Sequence, residues 1–428
     1  MRKRFIAMAA CLMLLTGCGQ SAQRNDELPE DTPWNNGVNA VMETDMGWYT
    51  NMSRTNLLNL HYIDKDSGVD VFLCSRPECM HEGGSSCTAT YNGLETVNTV
   101  MYNGDIYFAA YEQDEETAGI ALYRVTADGS SIDKVSDVYK IKFPRDDECK
   151  IGNEPFIIHK GYAYIPFDIS KSSLPGFGGY IDSGLMKVNI YTGECSEIVS
   201  DEEGYFSPRA RRLMGCGDFV YYDWSGTWQY DTVTGGCSPV GIKSEDKYTY
   251  IIGVTDKNFF ISTLNEKDCL KIETYDKETL EFAYVAADTE GADHWPRILF
   301  YNDMIFICGY FEIGVYKDGE RIGGISYEMG ENEYKKDEDY FDGHYKRDGD
   351  EFIGQWNEFK ISGEHLYLIE SNFLNYNYET RVLCNVYRCP LEDIISGEGE
   401  FEEVFRVTDN RSAEALWAEH FAAIKKGG

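Results

Sequence analysis

Hydrophobic and polar residues alternate along much of this chain with a period of two, the pattern of strands that bury one or both faces. Residues 121–137 (ALYRVTADGSSIDKVSD) give the clearest example, because Leu122 and Tyr123 point to opposite faces of the leading segment. Asp128-Gly129 follows that segment and tolerates the positive φ of a tight hairpin turn. The stretch therefore predicts a strand, a turn and a second strand.

The same hairpin recurs seven times, each time as an aromatic or aliphatic strand that leads into an Asp, Asn or Gly turn. The copies lie at residues 60–68, 122–129, 185–193, 227–235, 270–279, 314–319 and 385–393. Several are preceded by a shorter apolar hairpin, as at 100–108, 157–165, 213–222 and 359–368. Two hairpins per unit, repeated every 40–70 residues or so, predict an all-β fold: a β-propeller of seven four-stranded blades.

These hairpins also resemble a known group of repeats. The order of aromatic residue, Asp and Thr-Gly, as in residues 230–235 (YDTVTG), is similar to that of TolB-like and tryptophan-docking-like propellers. The seven hairpins lack the Gly-His and Trp-Asp pairs of WD40 blades. The resemblance implies the same propeller architecture over most of the chain, with residues 38–408 as the propeller.

The N-terminus has the features of an export signal. Arg2, Lys3 and Arg4 precede an apolar run that is too short to span a bilayer, and Leu15-Thr16-Gly17-Cys18 ends it. Residues 1–18 resemble a bacterial lipoprotein signal, which implies that Cys18 is lipidated and holds the protein at the outer face of the cell membrane. The alternative is an ordinary signal peptide that contains a cysteine. Residues 19–37 are polar and acidic and predict a flexible tether.

Strong acidity narrows the possible partners. The formal charge is −34 and becomes −37 when the three basic residues of the signal are removed. Such a surface repels phosphate backbones and anionic headgroups, so nucleic acid is excluded as a partner. Sugars, peptides and basic proteins remain possible partners.

One dense group of metal-ligating residues follows the first predicted hairpin. Cys74, Cys79, His81 and Cys87 lie within fourteen residues, with turn formers between them. Three thiolates and an imidazole suit a tetrahedral structural zinc, and four protein ligands leave no open position for catalysis. Two alternatives stay open: a disulfide between Cys74 and Cys87, and free thiols.

The segment also resembles a group of uncharacterised propeller lipoproteins of anaerobic Gram-positive bacteria. These carry a first blade with the pattern D-x-x-S/T-G-x-x-x-x-L-C, then C-x-x-P-x-C-x-H and a further cysteine. The matching residues here are Asp64, Ser67, Gly68, Leu73, Cys74, Pro77, Cys79, His81 and Cys87. The resemblance implies no activity.

Three segments depart from the repeat. Residues 168–184 are rich in Gly, Ser and Pro, and residues 327–356 separate the sixth and seventh hairpins. Insertions this long in a compact domain are usually functional or disordered, and we expect these two to form a binding rim. Residues 409–428 change to a helical period and predict a short C-terminal helix.

The sequence contains no nucleophile elbow, phosphate-binding loop or H-E-x-x-H motif. We therefore expect a membrane-anchored extracellular module that binds a sugar, peptide or protein. The alternative is a glycan-active hydrolase or lyase that uses carboxylates at the propeller axis.

Overall fold

All seven predicted hairpins form the third and fourth strands of antiparallel sheets, and the sheets are seven four-stranded blades in a ring. The computed structural model describes residues 41–409, without 45, 55–56, 67–68, 80, 82–86, 93–98, 114–116, 143–148, 153–155, 172–179, 201–212, 224–225, 243–248, 265–269, 290–296, 310–311, 328–333, 337–343, 348–351 and 373–380. Cys18, the tether and the helix predicted for 409–428 lie outside the described residues, except that Asp409 ends the last strand.

The strands follow the chain order from blade to blade. Blade 1 contains β1 (Val41–Glu43), β2 (Gly47–Arg54), β3 (Leu57–Asp64), β4 (Asp70–Phe72) and an added β5 (Thr90–Asn92). Blade 2 contains β6 (Thr99–Tyr102), β7 (Asp105–Gln113), β8 (Thr117–Val125) and β9 (Ile132–Lys142). Blade 3 contains β10 (Cys149–Gly152), β11 (Ile157–His159), β12 (Tyr162–Lys171), β13 (Tyr180–Asn189) and β14 (Cys195–Ser200).

Blade 4 contains β15 (Leu213–Cys216), β16 (Phe219–Asp223), β17 (Thr227–Asp231) and β18 (Cys237–Pro239). Blade 5 contains β19 (Thr249–Val254), β20 (Asn258–Leu264), β21 (Leu270–Asp276) and β22 (Phe282–Thr289). Blade 6 contains β23 (Arg297–Tyr301), β24 (Met304–Cys308), β25 (Glu312–Lys317) and β26 (Glu320–Ser326). Blade 7 contains β27 (Tyr334–Lys336), β28 (His344–Arg347), β29 (Phe352–Ser362), β30 (His365–Asn372), β31 (Arg381–Pro390), the helix α1 (Leu391–Ser396) and β32 (Glu402–Asp409).

Alternating side chains pack each blade against both of its neighbours. On β8, Leu122 is buried in the cluster shared with blade 3, whereas Tyr123 and Val125 belong to the cluster shared with blade 1. The described residues form seven such apolar clusters, one for each interface between adjacent blades. The core is therefore a ring of interfaces, and the period-two pattern follows from it.

The contact between blades 7 and 1 closes the ring. Trp48 of β2 lies with its ring 5.6 Å from that of Phe405, and its Nε1–H donates to the hydroxyl of Tyr367 at 3.4 Å. Ile63 and Val386 are fully buried in the same cluster. Within the described strands each blade comes from one contiguous stretch of chain, so this closure depends on side-chain packing alone.

Antiparallel order assigns the connections to two faces of the ring. The turns between first and second strands and between third and fourth strands lie on one side, here called the turn face. The connections between second and third strands, and those between blades, lie on the other side, here called the insertion face. The first strand of the ring begins at the insertion face and the last one ends there.

Both insertions predicted as loops contain strands. In blade 3 the hairpin continues in β12 and β13 beyond the four-stranded sheet, and β10 pairs with the extended end of β12. In blade 7, β27 and β28 form a hairpin that pairs with the start of β29. Gly, Ser and charged residues lowered the strand signal there, but backbone pairing decided the structure.

The structure describes one helix, at Leu391–Ser396, which is a different segment from residues 409–428, where a helix was predicted. α1 has six residues and replaces the last hairpin turn, with Leu391 and Ile394 buried and Gly397 in the left-handed conformation at its C-terminus. No helix in the described part of the chain is long and apolar enough to span a membrane.

Candidate metal centre

The outer strand of blade 1 is interrupted by a loop that contains all four predicted ligands. β4 pairs with the second half of β3, and β5 resumes the pairing farther along the same strand. Leu60 holds both ends of the loop, because its carbonyl accepts from the N–H of Leu73 at 2.9 Å and its N–H donates to the carbonyl of Ala89 at 2.7 Å. The intervening residues, 74–88, form the Cys/His loop.

The Cys/His loop brings the four ligands together. The ligand atoms of Cys74, Cys79, His81 and Cys87 all lie within 4.8 Å of one another. Nδ1 of His81 is 3.5 Å from Sγ of Cys87. Neighbouring ligand atoms of a tetrahedral zinc with ordinary Zn–S and Zn–N bonds are about 3.5–3.8 Å apart. The cluster could therefore hold a metal ion after a small contraction.

His81 is fixed by its backbone and by stacked rings. Its φ of 56° lies in the left-handed region, which costs a non-glycine residue about 1–2 kcal/mol. Its ring stacks on Phe72 at 4.5 Å, and Phe72 in turn contacts His61 at the same centroid distance. The hydroxyl of Thr90 donates to the His81 carbonyl at 3.3 Å. This support aims the imidazole at the three sulfurs.

The surroundings of the cluster suit metal binding. Burial raises the pKa of the Cys74 thiol, but hydrogen bonds from the backbone N–H groups of Arg76 and Thr88 to its sulfur outweigh burial and lower the pKa to about 7. Burial, assisted by the charge of His61, lowers the pKa of His81 and keeps its imidazole neutral. Thiolate and neutral imidazole are the forms that bind a metal.

Cys79 behaves differently from Cys74. The N–H of His81 favours the thiolate of Cys79, but burial and the neighbouring sulfurs of Cys87 and Cys74 oppose it and raise its pKa. Repulsion among thiolates is what a divalent cation removes.

The Cys/His loop is also docked on blade 2. The carbonyl of Gly129 accepts from the N–H of Ser75 at 3.1 Å and from the hydroxyl of Thr88 at 2.8 Å. Gly129 has φ of 64°, and a Cβ there would lie 2.7 Å from the carbonyl oxygen of Leu73. The turn of the second hairpin thus fits against the loop only because it carries glycine.

This geometry favours a structural site over a catalytic one. Cys87 is buried, and four protein ligands would fill a tetrahedral shell. Eight cysteines in the described part of the chain are free thiols, and Cys74 and Cys87 are among them. The four residues that the structure brings together are those that the sequence predicted, but the sequence did not point to Leu60, Phe72 or Thr88, which carry no ligand chemistry.

Together these features define the class of protein as a seven-bladed β-propeller with a candidate metal centre in its first blade. No family model matches the chain, and no curated protein does. Solved structures that it resembles include one from a study of two prolyl endopeptidases, with a TM-score of 0.49 and 11% identity over 88% of this chain and 51% of that chain.

Two further structures show the same kind of likeness. A puromycin-hydrolyzing peptidase from Mycobacterium tuberculosis matches with a TM-score of 0.47 and 9% identity, covering 86% of this chain and 53% of that one. The WD40 domain of SCAP from fission yeast matches with a TM-score of 0.35 and 9% identity, covering 88% and 89%. The chain spans about half the length of the two peptidase structures. Such weak matches carry no argument about activity.

Proposed function

We propose that this protein is an exported lipoprotein, anchored through Cys18 to the outer face of the bacterial membrane, whose propeller binds an extracellular ligand. The observation that carries the proposal is that both insertions extend the same face. The β12–β13 hairpin joins a second to a third strand, and β27–β28 lies in a connection between blades. Strand order therefore assigns both to the insertion face.

A face extended by two hairpins on a rigid ring is suited to binding, since loops on a fixed scaffold carry recognition in propellers. Its ligand is a sugar, a peptide or a protein, because the acidity of the chain disfavours nucleic acid. A flexible tether of residues 19–37 would span about 24 Å on average, which would leave room for a ligand between this face and the membrane.

The binding proposal is tested with two shortened variants of the detergent-solubilised full chain. Residues 172–179 are replaced by Asn-Gly in one, and residues 334–347 by Gly-Ser-Gly in the other. Both are screened on glycan and peptide arrays beside the unchanged protein and a control with Val233→Ser on the turn face. We expect ligands that the unchanged and control proteins bind to be lost from at least one shortened variant.

Equal binding by all four proteins would contradict the placement on the insertion face. Turnover of a bound glycan or peptide, followed by mass spectrometry of the products, would instead support the enzyme alternative.

The anchoring proposal is tested in cells with Cys18→Ala. We expect incorporation of an alkyne-labelled fatty acid into the unchanged chain and none into the variant, which should also leave the membrane fraction. Labelling of the variant, or its retention on the membrane, would contradict lipidation at Cys18.

A further inference from the structure

Exposed apolar side chains are distributed unevenly over the ring. Among the described residues, blades 3, 4, 5 and 6 each carry one large apolar side chain that is strongly exposed, whereas blade 1 carries four: Met46, Val69, Val71 and Phe72. Phe72 is accounted for by its stacking between His61 and His81. The other three, Met46, Val69 and Val71, are each more exposed than Phe72. Exposed apolar residues that are scattered singly are normal, whereas a group of them marks an interaction site.

Backbone contacts bring these three residues together around Tyr62. The Tyr62 hydroxyl donates to the carbonyl of Met46 at 3.0 Å, and Tyr62 is paired with Val71 across β3 and β4. The carbonyl of Val69 accepts from the N–H of Asp64 at 3.1 Å, and Val69 precedes Val71 by two positions, on the same side of the strand. We call Met46, Tyr62, Val69 and Val71 the blade 1 patch.

The blade 1 patch is open to solvent. Met46 is 71% exposed, Val69 54% and Val71 48%. It lies on the turn face, because it is formed by the turn between β1 and β2 and the turn between β3 and β4. It is therefore separate from the insertion face, where the proposed ligand would bind.

Carboxylates border the patch. Burial raises the pKa of Tyr62, and the charges of Asp64 and Asp66 raise it further. Tyr49, whose ring is 5.1 Å from that of Tyr62, has its pKa raised by burial, by Tyr62 and by Asp128 of blade 2. Asp64 forms a side-chain hydrogen bond with Tyr62, and Asp66 lies in the turn between β3 and β4.

The nearby lysine, Lys65, contacts the other side of the blade. Nζ of Lys65 lies over the ring of Trp48 at 5.4 Å, and Trp48 belongs to the opposite face of the blade, which packs against blade 7. The patch thus combines an apolar centre with a negative border.

We propose that the blade 1 patch docks a cationic amphipathic segment of a partner protein, one that sets apolar side chains on the patch and lysine or arginine against its acidic border. The positive charge of such a segment is complementary to the carboxylates at the border of the patch. An anionic lipid surface would be repelled by the same carboxylates, and a second copy of this acidic chain would face like charge.

The proposal is tested by fluorescence anisotropy with a labelled 18-residue helical peptide of alternating Leu and Lys turns. The protein is the detergent-solubilised full chain. Val69→Ser with Val71→Ser removes apolar area from the patch, and Asp66→Asn removes a border charge. Val233→Ser is the matched control, because Val233 is 74% exposed on the turn of blade 4.

We expect the double serine variant to bind the peptide about tenfold more weakly than the unchanged protein or the control. Asp66→Asn should weaken binding less and reduce its dependence on salt. A peptide with every Leu replaced by Ser measures nonspecific attraction to the acidic surface and should bind all variants alike.

Equal affinity of the double variant and the Val233→Ser control would overturn the proposal, as would equal binding of the Leu-free peptide. The shortened insertion-face variants serve as a further control. If they bind the cationic peptide normally while losing their own ligand, the two surfaces act separately, and failure of either proposal can be told from failure of the other.

Discussion

Leu60 shows how much one residue contributes through its backbone alone. Its N–H and carbonyl hold both ends of the Cys/His loop, so the four ligands begin from a fixed base. The side chains at that base, Cys74 and Cys87, are then placed by the loop ends themselves. A bound metal would join the base to Cys79 and His81 and close the loop a second time.

We expect protein purified under reducing conditions and without chelator to contain about one equivalent of zinc. Cys79→Ser should lose the metal and about 3 kcal/mol of unfolding free energy, the value for opening a loop of this length. Cys237→Ser is the control, because Cys237 is exposed and lies in β18, away from the site. Metal analysis and urea unfolding measure both effects.

Less than half an equivalent in the unchanged protein, with the thiols found oxidised, would instead favour a disulfide. Equal zinc in the two serine variants would exclude Cys79 as a ligand.

Cys74 should give a pH-dependent signal once the metal is removed. Its pKa is lowered to about 7, and the thiolate is the reactive form, so alkylation should rise from pH 6 to pH 8 with a midpoint near 7. Peptide mapping after timed iodoacetamide treatment gives the rate at this cysteine.

A midpoint near the ordinary cysteine value of about 8.5 would contradict the lowered pKa of Cys74. Zinc-loaded protein should be protected across the whole range.

The four ligands could be predicted from the sequence because Cys and His carry their chemistry in their identity. The residues that hold these four side chains in place could not be predicted from the sequence. Phe72 and Thr88 are residue types that are common in any strand. The left-handed backbone of His81 could not be predicted, because histidine rarely adopts that conformation. Cys18 stays a prediction, because it lies outside the described residues.

Among the elements, the hairpin turn is the part that joins neighbouring blades. The turn of blade 2 packs on the outer segment of blade 1 at Gly129, and the turn of blade 3 packs on β9 at Gly193, whose added Cβ would be 2.5 Å from the carbonyl of Val135. Gly319 of blade 6 meets the carbonyl of Val285 in the same way. In blade 7, α1 takes the place of the turn and contacts β26.

Gly129→Ala should destabilise the protein by more than its backbone conformation alone requires. Gly104 is the control, because it also has positive φ but nothing lies within 4 Å of an added Cβ. We expect about 1 kcal/mol for Gly104→Ala and about 2–4 kcal/mol for Gly129→Ala, which adds a clash with Leu73. Urea unfolding gives the free energies.

Gly129→Ala should also release zinc more readily to a chelator, because Gly129 holds Ser75 and Thr88 of the Cys/His loop. Identical losses in the two alanine variants would mean that the turn does not support the loop.

Strands were predictable because buried faces impose a period of two, and seven copies of one hairpin reinforced one another. β5 was missed because its pairing with β3 is fixed by Leu60, across the 25 residues that separate the two strands, and not by its own three residues. α1 was missed because six residues between two strands carry too little helical periodicity to be distinguished from a turn.

At the scale of the whole molecule, the interface between blades 7 and 1 closes the ring. Among the described residues, the cluster between blades 7 and 1 contains the fewest buried residues of the seven. Trp48 is its largest side chain and contacts both Phe405 and Tyr367. This interface therefore depends strongly on one residue.

Trp48→Ala should destabilise the protein by about 3–5 kcal/mol. Trp228→Ala is the comparison, because Trp228 is only partly buried, between blades 3 and 4, and its removal should cost less. Limited proteolysis should show earlier cleavage in Trp48→Ala than in Trp228→Ala. Equal unfolding free energies for the two variants would argue against a special role of the closing interface.

Because every blade is contiguous in sequence, most partners of a newly made strand are already present when it emerges from the ribosome. The contact of Trp48 with Tyr367 is the exception, as it joins residues 319 positions apart. Until blade 7 has been made, Trp48 and Ile63 have no partner surface to cover them. An incomplete chain thus displays an apolar face that the finished molecule hides, and proteases and chaperones that recognise such faces can tell the two apart.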